Sequence, residues 1–197
     1  MARHYLSFGT LLTVIFLYAS LASGQTYGNM PNQAPRYMGI NRTGLTLGMS
    51  IGGGFFYNKD AFGKGTPGIY EGIFTMSVRI GAGLSQRFII LYEGEFGLGS
   101  FRGSTLSMMD NVLALQFMIT RAFWVKGGVG LAITELDSGG FATNRIGFGG
   151  LVSVGWEFFH GLNWVMDIHA TILPMVYKRS EGGACFQVNG GIGFQWY

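Results

Sequence analysis

Asp167, His169 and Ser153 are the residue types of a nucleophilic triad, in which a carboxylate orients an imidazole that takes a serine proton. Glu93 and Glu95 form a second constellation, two carboxylates that could divide acid and base work. Spacing alone supports neither chemistry. Each pair consists of alternate residues of one extended segment, so its members share a face whatever they do. The three histidines, His4, His160 and His169, are scattered, and His160 falls in a turn where solvation is its expected state. The single cysteine, Cys185, provides neither an internal disulfide nor a zinc cluster. The glycine clusters Gly52 to Gly54 and Gly127 to Gly130 precede no helical pattern, and no phosphate-loop signature exists. No catalytic, cofactor-binding or metal residue is therefore assigned.

The elements that must position these residues are strands. Charged residues make up only 12% of the chain and Gly reaches 34 of 197, so its outside is built to meet something other than water. Period-two alternation recurs over eight segments, about 44–57, 69–83, 87–98, 106–119, 122–134, 146–158, 163–176 and 185–197. One face of each is bulky and apolar, as in Leu45, Leu47, Met49 and Ile51, or Phe186, Val188, Ile192, Phe194 and Trp196. The other carries Gly, Ser, Thr and Ala with occasional charges, which suits a narrow crowded lumen, while the apolar face suits lipid. Only a closed barrel satisfies every backbone group of a sheet in lipid. A spanning strand takes roughly 10 residues, so eight strands fit this length and sixteen would leave no loops. The connections read alternately long and short, with GSFRGST counted among the long ones, and residues 58–66, 136–144 and 178–183 are expected to be external. The expected fold is all-β, a closed eight-stranded antiparallel transmembrane β-barrel over 44–197.

The lumen face then carries Glu71, Arg79, Glu93, Glu95, Asp110, Lys126, Glu157, Asp167 and His169, with Arg79 and Lys126 its only mid-strand cations. Charges in a dry barrel must pair or contact water, so the expected role of this set is a structural plug. Tyr57, Tyr70, Trp124, Trp156, Trp164, Tyr177 and Trp196 lie near strand ends and are expected in interfacial girdles.

The N-terminus reads as an address. Arg3 and His4 precede the apolar run Leu11 to Leu21, too short for a spanning helix of about 20 residues. Small residues follow, so 1–24 reads as a signal peptide cleaved after Gly24 or Ala22. Residues 25–43 lack periodicity and are expected to form a loosely packed extension, in which Asn41-Arg42-Thr43 is formally a glycosylation sequon. The net charge of +3 is small and unstriped, which gives nucleic-acid binding no support.

The strand pattern, the Gly-rich WVKGGVGLA (124–132) and the aromatic end GFQWY resemble the small eight-stranded outer-membrane barrels, a grouping that includes the OmpA membrane domain, OmpX and OmpW. The resemblance implies the outer membrane of a Gram-negative bacterium, contact with its lipid, and a C-terminal strand read by the barrel-insertion machinery. Tyr197 matches the usual aromatic end but falls out of phase with the lipid-facing residues of its strand. The expectation is a monomeric, non-enzymatic barrel that contributes to envelope structure or surface interaction. The competing classes are a narrow channel for small or apolar solutes and a lipid-modifying envelope enzyme.

Overall fold

A computed structural model describes residues 40–59, 68–101, 104–137, 142–177 and 183–197. The expected signal peptide and residues 25–39 of the expected extension lie outside them, as does the side chain of Glu71.

Eight strands are arranged in chain order: β1 (Gly44–Lys59), β2 (Gly68–Gly83), β3 (Phe88–Phe101), β4 (Ser104–Met118), β5 (Phe123–Asp137), β6 (Ala142–His160), β7 (Trp164–Tyr177) and β8 (Ala184–Trp196). Each pairs antiparallel with the next, and β8 returns to β1 from Leu47↔Trp196 to Lys59↔Ala184, closing the barrel. Closure leaves no strand edge, so every ladder bond is made within the chain.

The alternation places the side chains as their types require. Leu45, Met49 and Ile51 face outward on β1, as do Leu113 and Leu115 on β4, whereas Thr46 and Ser50 and then Asp110 and Gln116 are buried inside. The turns 84–87 and 119–122 have a local cause. The Ser85 hydroxyl accepts from the amides of Arg87 (3.2 Å) and Phe88 (3.1 Å), and Thr120 accepts from Ala122 (3.3 Å) and Phe123 (2.9 Å). These turns share one end of the barrel with 161–163 and with both ends of the described chain.

Two expectations need correction. GSFRGST is not a long loop: β3 and β4 keep pairing to Phe101↔Ser104, because extended Ser and Thr backbone can continue a ladder that has no lipid to end it. The lumen is also more apolar than its Gly, Ser, Thr and Ala pattern implies. Phe56, Ile89, Leu91, Leu106, Met108, Leu151, Leu173 and Met175 are all fully buried inside. On β3, Ile89 and Leu91 lie on the turn side of Glu93; on β4, Leu106 and Met108 lie toward the opposite end from Asp110. Apolar side chains therefore flank the charges from both directions.

Candidate functional site

Apart from Glu71, whose side chain is not described, the charged residues predicted to face inward do so, and most of them meet. Glu93, the third inward position of β3, lies opposite Arg79 on β2 in register. Its carboxylate takes Arg79 Nε at 3.2 Å on one oxygen and Lys126 Nζ at 2.5 Å on the other. Arg79 Nη1 also lies 3.7 Å from Asp167 on β7, whose other oxygen is 2.7 Å from His169 Nδ1. Lys126 sits 5.4 Å from the centre of the Trp124 ring. Five groups from β2, β3, β5 and β7 thus form one cluster, with side chains of Arg79, Glu93, Lys126 and Asp167 almost wholly shielded. In such surroundings ion pairing offsets a large desolvation cost, and the geometry tolerates little loss.

Glu95 does not share this cluster. One oxygen accepts from Gln187 Nε2 (2.7 Å) and Asn189 Nδ2 (2.5 Å) across the lumen on β8. The two glutamates therefore have different partners and are not a paired acid and base. Asp110, in register with Glu95, keeps one buried oxygen without a hydrogen-bond partner among the described residues. The triad is only half assembled as well. Asp167 and His169 meet, but the Ser153 hydroxyl bonds Thr171 Oγ1 (2.8 Å) and the carbonyl of Ala170 (3.0 Å) instead. Among the described residues no hydroxyl is bonded to the imidazole.

Glu157 stands apart and has the partner that sequence reasoning missed. Arg42, in the segment read as loose, is buried and pairs with it at the barrel mouth. The same guanidinium donates to the carbonyl of Arg121 (3.0 Å) and lies 5.5 Å from the centre of the Tyr197 ring. Tyr197 donates to Glu157 at 3.1 Å, and His160 Nε2 is 3.2 Å from it, so His160 is not merely solvated. Ile40 is buried too, so the described part of the extension is packed. Its carbonyl path is tight: a side chain on Gly83 would sit 1.5 Å from the Arg42 oxygen, and only glycine admits the chain there. No periodicity marks Arg42, which is why the sequence did not reveal it.

Other positions had a legible signal that residue type overrode. Trp124 and Tyr177 are buried in the lumen, not placed in a girdle. Trp124 lies between the outward Phe123 and Val125, so alternation already implied an inward ring, and a side chain on Gly155 would fall 2.2 Å from that ring. Tyr177 shares a hydrogen bond with Thr134 and accepts one from Cys185 (3.3 Å). Arg145 joins the inward positions of β6 by the same parity, a further cation beyond Arg79 and Lys126. Trp156 and Trp196 are exposed on the outside, and Trp164 stacks with Phe159 and Phe194 at 5.1 and 5.2 Å. A bulge between Glu157 and Phe159 turns both Phe158 and Phe159 outward while Glu157 stays in. The side chain of Tyr70 lies outside the described residues.

Arg42→Ala is expected to lower barrel stability by about 1–3 kcal/mol, since it strands a buried carboxylate. In denaturant titrations with Glu157→Gln, the double variant should lose much less than the sum of the two singles. Additive losses would mean that Arg42 and Glu157 do not act together.

No family model and no curated protein matches this sequence. Solved structures do resemble it. Neisserial surface protein A aligns with a TM-score of 0.58 and 11% identity over 78% of this chain and 97% of that one. Ail, the attachment invasion locus protein of Yersinia pestis, gives 0.52 and 14% over 78% and 99%. Ail in complex with the heparin analogue sucrose octasulfate gives 0.52 and 13% over the same shares. At such identities the likeness concerns the fold. A largely apolar outer wall, charged and apolar side chains buried within, and eight strands closed in sequence order make this chain a barrel with the fold of the small eight-stranded outer-membrane proteins.

Proposed function

We propose that this chain is a non-enzymatic barrel of the outer membrane that contributes to envelope structure and presents its external end for interaction. The observation that supports this most is the charge cluster buried in the lumen. Arg79, Glu93, Lys126, Asp167 and Trp124 are buried between apolar side chains, an arrangement suited to a rigid post and poorly suited to passage. The half-assembled triad and the divided glutamates give an enzymatic reading no site. The fold likeness to Ail, an attachment protein by name that has been seen with a heparin analogue, favours a surface role.

Labelling with a membrane-impermeant thiol reagent tests the placement. Cysteines introduced at Lys64 and Gly140, both in segments expected to be external, should react in intact cells, and one at Ser85 should not. The native Cys185 is buried and should stay silent. Reaction at Ser85 with neither of the others would invert the orientation. In planar bilayers the wild-type protein should pass almost no current; steady conductance would move the reading to a narrow channel.

A further inference from the structure

Polar residues such as Glu135 and Asn144 face outward near one end of the strands, but at mid-height a polar pair sits among lipid-facing residues. Asn111 lies on the outward face of β4 between Met109 and Leu113, both exposed. The hydrogen-bonded row through it runs Val78, Gly94, Asn111, Leu131 and Phe148 across β2 to β6. Val78, Leu131 and Phe148 are exposed, the last at 75%, so the row belongs to the hydrophobic belt. Within the belt, the Tyr92 hydroxyl donates to Asn111 Oδ1 at 2.7 Å. That uses one lone pair of the amide oxygen. The other lone pair and both N–H donors of the amide nitrogen have no partner among the described residues.

Water could satisfy those groups on a soluble surface, but a hydrocarbon belt holds none, and acyl chains offer neither donor nor acceptor. A carboxamide is complementary to a second carboxamide, each donating to the other's oxygen. Gly94, directly beside Asn111, removes the neighbouring side chain: a Cβ there would meet only the Asn111 oxygen, at 3.9 Å. The wall is thus shallow where close approach is needed, and the protruding Val129 (74% exposed) and Leu113 (62%) flank it with apolar contact area. From this we infer that the wall formed by β3, β4 and β5 is an isologous contact between two copies of this chain in the membrane, with Asn111 bonding Asn111 of the second copy. A two-fold axis along the membrane normal keeps both copies in one orientation and brings the same residue of each to the axis. The inference rests on the membrane reading above and departs from the expected monomer.

The test uses the full barrel refolded into phosphatidylcholine vesicles, with Lys64→Cys in a Cys185→Ser background carrying donor or acceptor dye. Energy transfer should rise with protein density in the bilayer. Asn111→Leu, whose side chain suits lipid and should leave the barrel folded, should weaken association ~5- to 30-fold. Asn111→Gln keeps the amide and should associate nearly as wild type does. Transfer no greater than that of randomly placed barrels, or association unchanged in Asn111→Leu, overturns the dimer. So does a lipid retained by monomeric wild type and lost from Asn111→Leu in native mass spectra, since the amide would then serve a lipid group. Protease protection of the barrel core, measured on the same vesicles, separates the two readings: barrels that insert without associating refute the contact alone, and barrels that fail to insert refute the membrane reading and the contact with it.

Discussion

Glu93→Ala is expected to lower the stability of the inserted barrel by about 3–5 kcal/mol, the largest loss of any single lumen substitution. Glu93 holds two cations, Arg79 from the adjacent β2 and Lys126 from β5. Among the described residues Arg79 would then keep an ion pair within 4 Å with Asp167 alone, at 3.7 Å, and Lys126 would keep the face of Trp124 but no carboxylate in contact. A buried ammonium left without an anion is among the costliest groups a protein can hold. Denaturant titration in lipid vesicles would read the loss as a lowered midpoint. The double variant Glu93→Gln, Lys126→Met removes both charges and should recover much of it, because deleting a whole buried pair costs far less than breaking one. A Glu93→Ala barrel as stable as wild type that also passes ions would show these residues in contact with water along a pore. The plug would then give way to the channel.

Leu115→Arg should cost about 2–4 kcal/mol if its outward position lies near the bilayer midplane. Leu115 is 57% exposed on the outer wall, in register with Ile90 and Gly127, and its arginine counterpart would have to leave the hydrocarbon or drag water in. The neighbouring Ala114→Ser, buried inside, should cost less, since a hydroxyl in the lumen can reach backbone or polar side chains. Folding titrations that put Ala114→Ser above Leu115→Arg would reverse the assignment of inside and outside. The two residues are adjacent in sequence and present opposite faces of the same strand.

That adjacency is also the reason so much was legible beforehand. A strand turns successive side chains to opposite faces, so a two-residue pattern is enough to say that Arg79, Glu93 and Lys126 point one way and Val78, Tyr92 and Val125 the other. Eight repeats of the pattern, in a chain too short for more, leave little freedom in strand number. Chain order in the sheet follows from short connections between neighbours. Where alternation was set aside in favour of residue type, as for Trp124 and Tyr177, the reading failed.

The sequence by itself determined the architecture, the two faces and much of the lumen charge set, though Arg42 and Arg145 were left out of it. Only the tertiary structure decided the partners. Arg42 and Glu157 are separated by 115 positions, and Glu95 and Asn189 by 94. Those distances are bridged because β8 closes on β1, which brings both ends of the described chain to one mouth and β8 across the lumen from β3. Alternation carries no information about such pairings, since it is a property of neighbouring residues, whereas which charge meets which depends on the register of every ladder between them. The same limit kept the half-formed triad hidden. Face and spacing allowed Ser153 near His169, and only the packed lumen shows its hydroxyl committed to Thr171 and Ala170.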